Sequence, residues 1–396
     1  MKTLIKNAEV VLLNETKKCY VSLENGKITK IDAVEPTDSF DGIIDLDENF
    51  LCPGFVDVHN HGGAGYEFID ATIDAYMGAL KAHFKGGTTT IVPTFSSYPV
   101  EKYLHAIAVF NELKEKEDDF YDIPNLAGIH MEGPNFAASQ AGAQDPEIIH
   151  PPKKEEYETI LASTPYINRW SVAPELDGAL EFGKYLTEKG INASIGHSDA
   201  TTDQTLEAVK WGYNTVTHLY SGCSLVHRNG AFREGGVVEG AYLSDNLMVE
   251  IIADGAHLPK ELLSLIYKVK GPDKIAMVTD CIRCGGEDYP DGTILEYDKE
   301  RGINITIERG VALMPGGKSF AGSLATTSHL VRIMVNLVGL PIYEVCRMMS
   351  LNPAKIIKMD KEIGSIEVGK RADFTVLDKN LEVSMVIKGG KLGYKR

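Results

Sequence analysis

The chain has 396 residues, 43% hydrophobic and 24% charged, and a formal net charge of −16. That length exceeds what one hydrophobic core usually fills, so one large domain with a smaller companion is expected. The acidic balance argues against a nucleic-acid or anionic-membrane partner, and no apolar run is long enough to span a bilayer. In chain order, residues 1–7 carry two lysines but no apolar signal-peptide core, which makes the cytoplasm the expected location. Short strands are predicted at 10–13, 20–23 and 27–31, separated by Asn, Gly and Lys punctuation. Eight apolar, β-prone runs follow at 55–58, 89–92, 126–129, 170–173, 193–195, 215–217, 248–252 and 275–278. Helix-like stretches at 71–85, 100–116, 178–189, 202–211 and 259–269 alternate with them. Two places break the alternation: a Gly- and Arg-containing insertion at 222–243 and a hairpin-like segment at 285–318. Strands return at 364–366, 373–377 and 383–387.

Eight β/α units over this span fit an α/β fold of the (β/α)8 TIM-barrel type, with a doubly wound open sheet as the alternative. The β-rich ends imply a small β-sandwich domain built from both termini, residues 1–53 and 355–396, around a barrel of 54–354. Six cysteines, at 19, 52, 223, 281, 284 and 346, suggest reduced thiols; Cys281-x-x-Cys284 is the one close pair and a weak redox or metal signal.

Ionisable residues recur where the predicted strands end. His59 and His61 end the first, Glu132 the third, His197 the fifth and His218 the sixth; His257 follows the seventh and Asp280 ends the eighth. In a barrel, all of these ends face one mouth, where active sites lie. Singly, each residue has an ordinary explanation as a cap, an ion-pair member or a satisfied polar group. Recurrence at corresponding positions has none. Residues i and i+2 of a strand share a face, so His59 and His61 can approach one ion. Imidazole and carboxylate donors suit Zn²⁺, and also Fe²⁺ or Mn²⁺. A catalytic ion lowers the pKa of bound water towards about 7 and polarises a carbonyl. Asp280 is placed to take a proton from the water and pass it to a leaving nitrogen, as amide hydrolysis requires. Two adjacent ligand sets would permit two ions, with Glu132 between them.

Longer stretches carry a family resemblance. They include Pro53-Gly54-Phe55-Val56-Asp57-Val58-His59-Asn60-His61-Gly62, His130-Met131-Glu132-Gly133-Pro134, Gly196-His197-Ser198, Thr217-His218-Leu219-Tyr220, Asp254-Gly255-Ala256-His257, Thr279-Asp280 and Gly369-Lys370-Arg371-Ala372-Asp373. Nearly end to end, the chain resembles the N-acetylglucosamine-6-phosphate deacetylase family of the amidohydrolase superfamily. The resemblance implies metal-dependent hydrolysis of an N-acetyl amino-sugar phosphate to the free amine and acetate, in amino-sugar catabolism. It implies that Glu132, His197 and His218 hold the principal ion, and His59 and His61 a second. Asp280 would be general base and acid, and His257 would contact the sugar and help polarise the carbonyl. Arg233 would bind the phosphate, with Ala143, Ser221, Gly222, Phe320, Ala321 and Gly322 around the sugar and acyl group. The family is typically dimeric, and His227 or Arg228 would reach across to the partner.

Three positions depart from the family's usual pattern: Ser221-Gly222-Cys223 after the Thr-His-Leu-Tyr motif, Gln144 after Gly142-Ala143, and Cys281 after Asp280. All three are expected where the sugar phosphate is gripped, clear of the metal ligands. Another N-acyl hexosamine phosphate, such as N-acetylgalactosamine-6-phosphate, is therefore an alternative substrate. A deaminase or cyclic amidase is a second alternative. Most cyclic amidases bridge their ions with a carboxylated lysine on the fourth strand, and Asn168-Arg169-Trp170-Ser171 offers none. A non-catalytic metal-binding protein is the third; it would be expected to have lost Asp280 or a ligand, and neither is missing.

Overall fold

The computed structural model describes residues 1–298 and 301–396. Its centre is a ring of eight parallel strands. These are β1 (Phe55–Asn60), β2 (Thr88–Phe95), β3 (Ile129–Glu132), β4 (Ile167–Val172), β5 (Asn192–Ile195), β6 (Tyr213–Val216), β7 (Met248–Ile252) and β8 (Ile275–Val278). Each pairs with the next in sequence. The ring closes just beyond β8. Asp280 N–H donates to the His59 carbonyl at 3.0 Å, and His61 N–H to the Cys281 carbonyl at 2.8 Å.

The eight strands match the eight apolar runs in the sequence. Every residue of β1, β2, β3, β5 and β8 is buried. Helices cover the ring from outside, so these strands read as continuous apolar runs rather than as alternation. The third strand is displaced from its predicted place. The chain pairs briefly at Asn125–Leu126, breaks, and resumes at Ile129. Gly128 causes the break: its φ is +146°, and a Cβ there would lie 2.3 Å from Asn168 Nδ2.

Each strand is followed by a helix, including Ile73–Lys85, Val100–Glu115, Ala179–Glu188, Thr202–Lys210 and Lys260–Lys270, within a residue or two of the predicted stretches. Local chemistry starts them. Thr72 accepts from the Ala75 N–H, and Thr201 and Gln204 form a reciprocal capping box. The insertion after β6 contains a two-stranded hairpin, His227–Asn229 with Phe232–Glu234, and then the helix Val237–Leu243. The segment after β8 forms an antiparallel sheet of Ile294–Asp298, Ile303–Glu308, Val311–Leu313 and Phe320–Gly322, one strand pair more than the predicted hairpin.

Strands from the two ends form one separate eight-stranded sheet. Its order runs Lys391–Lys395, Val383–Lys388, Phe374–Leu377, Phe50–Pro53, Lys2–Val11, Thr16–Glu24, Lys27–Asp32, with Gly42–Asp45 also against Lys2–Val11. It has its own apolar core, including Ile5, Val10, Val21, Leu51, Phe374, Val376 and Ile387.

Candidate active site

The strand ends bring the predicted residues together. Glu132, at the end of β3, is the hub. Its Oε1 lies 3.3 Å from His59 Nε2, 3.3 Å from His197 Nε2 and 3.0 Å from His218 Nε2. Its Oε2 lies 3.3 Å from His61 Nε2. Asp280 Oδ1 stands on the other side, 3.3 Å from His59 Nε2 and 3.1 Å from His61 Nε2. All five residues other than Asp280 are buried.

Three of these residues hold unusual backbone. His197, His218 and Asp280 have φ of 45°, 27° and 47°. Left-handed conformations at non-glycine residues cost about 1–2 kcal/mol each. Here they turn side chains from the strand ends back over the ring.

Three of the four rings have a hydrogen-bond partner on the side away from the hub. His197 Nδ1 lies 2.7 Å from the Gln140 carbonyl, which can only accept, so Nδ1 carries the proton and Nε2 presents a lone pair. His59 Nδ1 lies 3.3 Å from Glu250 Oε2, and His61 Nδ1 3.1 Å from Ser96 Oγ. Lone pairs directed at carboxylate oxygens repel unless a cation lies between them. His59 Nε2 and His218 Nδ1 are buried without a hydrogen-bond partner. The titration behaviour reflects the same demand. Burial opposes charge on His59, but the Glu132 and Asp280 carboxylates outweigh it and raise the ring to about 9. His61 is pushed well up against its burial by the same two carboxylates. Burial likewise opposes ionisation of Glu132 and Asp280, and the facing imidazoles hold both below the ordinary carboxylate range. His59, Glu132 and His218 form one cluster able to hold a metal ion, and His59, His61 and Asp280 another. Nitrogen and oxygen donors around orphaned buried atoms fit a divalent cation.

A cavity of roughly 500 Å³ opens on the cluster. His61, Glu132, His197, His218, His257 and Asp280 are in its wall, together with Ala143, Ser221, Gly222, Phe320, Ala321 and Gly322. His257 Nδ1 lies 2.7 Å from Asp254 Oδ2, and its ring packs 4.1 Å from that of Phe320. Burial opposes charge on Asp254, but the His257 contact holds its carboxyl low, so it accepts and His257 Nε2 is left free of that bond. Gly222 has a φ of +56°, and a Cβ there would come 2.9 Å from His197 Nδ1, so glycine keeps the loop after β6 clear of a cluster residue.

The amidohydrolase family profile matches residues 50–393. This chain belongs to the amidohydrolase family. It is 31% identical to N-acetylglucosamine-6-phosphate deacetylase of Bacillus subtilis (strain 168), over 99% of this chain and 97% of that protein. It is 29% identical to N-acetylgalactosamine-6-phosphate deacetylase of Escherichia coli O157:H7, over 91% and 92% of the two chains. A mutant N-acetyl-D-glucosamine-6-phosphate deacetylase from Mycobacterium smegmatis, solved in complex with N-acetyl-D-glucosamine-6-phosphate, is similar in structure, with a TM-score of 0.88 at 27% identity over 100% of both chains.

In this amidohydrolase, two of the departing residues behave differently from expectation. Gln144 is not clear of the metal cluster. Its Nε2 donates to Glu132 Oε2 at 2.9 Å, while its Oε1 accepts from the Ser97 N–H at 2.6 Å. Cys281 is not at the sugar side; it is fully buried, and its backbone closes the barrel against His61 and Gly62. Ser221 and Gly222 do line the cavity, while Cys223 is buried behind them. Arg233 does not reach the cavity of its own chain. It is exposed on the hairpin after β6, as are His227 and Arg228.

The sequence reading also missed residues. Tyr297, Asp298 and Arg301, from the sheet after β8, form part of the cavity wall, and Arg301 pairs with Asp145 at 3.3 Å. They come from a segment read only as a hairpin, with no pattern to indicate where it folds. Glu250 and Arg169 lie behind His59; Glu250 is a charge inside a predicted apolar run, and Arg169 precedes one by a single residue.

Proposed function

We propose that this amidohydrolase removes the N-acetyl group of N-acetylglucosamine-6-phosphate to give glucosamine-6-phosphate and acetate, in amino-sugar catabolism. The observation that carries this reading is the convergence of four imidazoles on Glu132, with the Asp280 carboxylate against two of them, at the wall of a cavity sized for a small molecule. Full-length similarity to enzymes of that name supports the substrate.

Glu132, His197 and His218 would hold the principal ion, and His59 and His61 a second. Zn²⁺ suits these donors best, and Fe²⁺ or Mn²⁺ is compatible with them. When bound, the metal supplies Lewis acidity, which acidifies water and polarises the amide carbonyl. Asp280, held ionised by His59 and His61 despite its burial, takes the proton of the attacking water and delivers it to the leaving nitrogen. An amine anion is too poor a leaving group to depart without that proton. His257, fixed through Nδ1 by Asp254, turns Nε2 towards the sugar and the acyl oxygen. Ala143, Ser221, Gly222 and the strand Phe320–Gly322 hold the sugar and acyl group.

Phosphate binding falls to a second copy of the chain in this reading. Among the described residues lining the cavity, Arg301 is the one Lys or Arg, and Asp145 engages it. The hairpin with Arg233, His227 and Arg228 lies beside exposed Leu225, Val226, Phe232 and Leu243, an apolar surface suited to a homodimer contact. Arg233 would then serve the partner's cavity, assisted by His227 or Arg228. Residues 1–53 and 355–396 form the small domain of this reading and 54–354 the barrel, supported by the sheet that draws on both ends. None of the described helices is long and apolar enough to cross a membrane, and the cytoplasm is the proposed location.

The galactosamine epimer is the second reading, favoured by the similarity to an N-acetylgalactosamine-6-phosphate deacetylase. A cyclic amidase is disfavoured because β4 has Arg169, already paired with Glu250, in the region where a bridging lysine would stand. The test is acetate release from metal-loaded protein given the 6-phosphates of N-acetylglucosamine, N-acetylgalactosamine and N-acetylmannosamine. Fastest release from the first is expected. Fastest release from the second would reassign the substrate, and no acetate from any would overturn the proposal.

A further inference from the structure

Two charged side chains lie inside the barrel wall, out of reach of solvent and of the cavity. Arg169 on β4 and Glu250 on β7 are both fully buried, and neither lines the cavity. They form an ion pair across the ring. The guanidinium also donates to the Val58 carbonyl at 2.7 Å, one residue before His59. The second oxygen of Glu250 lies 3.3 Å from His59 Nδ1. A chain of contacts therefore runs from β4 through β7 to a single imidazole on β1.

Stability is a poor explanation for this pair. Desolvation of two buried charges often equals or exceeds their attraction, and apolar replacements of similar volume are frequently neutral or better. The placement is more informative. An imidazole that binds a metal through one nitrogen usually gives its other N–H to a carboxylate or carbonyl, which fixes the tautomer and the ring orientation. His197 uses the Gln140 carbonyl for this, and His61 meets the Ser96 hydroxyl. Only His59, of the three, is given an ionic partner that is itself held by a second charge.

We propose that Arg169 and Glu250 are positioning residues for the second ion: Glu250 holds His59 with Nδ1 as donor and Nε2 facing Glu132 and Asp280, and Arg169 fixes Glu250 and the β1 backbone beside it. This inference rests on the two-ion reading above. It makes the two ions unequal, because neither His197 nor His218 has a hydrogen bond to Glu250. Loss of the pair weakens the site of His59 and His61 more than the site of Glu132, His197 and His218.

The experiment measures bound Zn²⁺ by metal analysis, and its affinity by chelator competition. It compares the wild type with Glu250→Gln and with the double variant Arg169→Met/Glu250→Leu, which removes both charges together and leaves no unpaired buried ion. Thermal unfolding of each metal-free protein is recorded in parallel. The wild type should bind two ions per chain. Both variants should hold the tighter ion as the wild type does and bind the weaker one about tenfold or more less tightly. The double variant should unfold within a few degrees of the wild type when metal-free. Two ions held equally tightly in the wild type and the double variant would overturn this inference and leave the two-ion reading intact. One ion in the wild type would overturn both. Failure of both variants to fold would show the pair to be structural and overturn the positioning role.

Discussion

Glu132, His197 and His218 stand at the ends of barrel strands and have almost no contact with solvent. Ser221 and Gly222, beside His197 and His218 on the wall of the same cavity, belong to the excursion after β6 and are half-buried, and Arg233 farther along it is exposed. The cluster wall is fixed by the barrel itself: moving one of these residues means moving the end of a strand that is almost wholly buried. The excursion is tied down locally, by hydrogen bonds such as those from Ser198 N–H to the Gly222 carbonyl and from Ser224 N–H to the Ser198 carbonyl. In the proposed function the chemistry of the reaction therefore lies in the rigid half, and the identity of the substrate in the half that can vary without disturbing it.

Four experiments can break or sharpen that division. The largest effect is expected at Asp280. Asp280→Asn should lower turnover about 10³-fold or more, while the ion on Glu132, His197 and His218 stays bound. Turnover near wild type would remove Asp280 from proton transfer. Next is Arg233→Ala, which should lower kcat/KM for phosphorylated substrates about 10- to 100-fold and leave unphosphorylated analogues unchanged. If the hairpin serves its partner, a mixture of Arg233→Ala and Asp280→Asn chains should recover activity that neither has alone, because one site of each mixed dimer is then complete. Gln144→Ala tests whether the division is sharp, since Gln144 comes from a loop yet contacts the hub. About tenfold weaker metal retention is expected; a change in sugar preference alone would return Gln144 to the substrate wall.

The smallest effect concerns the support of the excursion. Lys270 Nζ donates to the Ala241 and Ser244 carbonyls at the end of the helix Val237–Leu243. Burial lowers its pKa to about 8 from the usual 10.5. Between these values the unfolded chain binds this proton and the folded chain does not, so stability attributable to Lys270 rises with pH across that window. The difference in melting midpoint between the wild type and Lys270→Met should shift in favour of the wild type as pH rises from 8 to 10. A pH-independent difference would mean that burial does not perturb the amine.

The barrel was legible because parallel strands covered on both faces leave continuous apolar runs, and its chemistry because ionisable residues follow the first, third, fifth, sixth, seventh and eighth runs, where they have no packing role. His59, Glu132 and Asp280 are of this kind. Glu250 sits within a run and Arg169 just before one, neither at the end that faces the mouth, and a charge in a two-faced strand reads as an interruption until its partner two strands or more away is known. Gln144 and Arg301 were illegible for another reason. They come from loops of different β/α units, and only the folded barrel shows that one reaches Glu132 and the other closes against Asp145. The left-handed backbone at His197, His218 and Asp280 is not marked by glycine; Asp and His enter that region more readily than most side chains, but the residue type alone does not single out these positions.

The sheet of the two ends also bears on how the protein is made. Phe50–Pro53 leaves the ribosome early and pairs on one side with Lys2–Val11, but its other neighbour, Phe374–Leu377, is among the last strands synthesised. For most of translation Phe50–Pro53 therefore presents an open edge of unpaired amides and carbonyls. Until the late strands dock, a nascent chain is liable to pair with a neighbour on the same message, and a chain truncated before Phe374 keeps that edge for its lifetime.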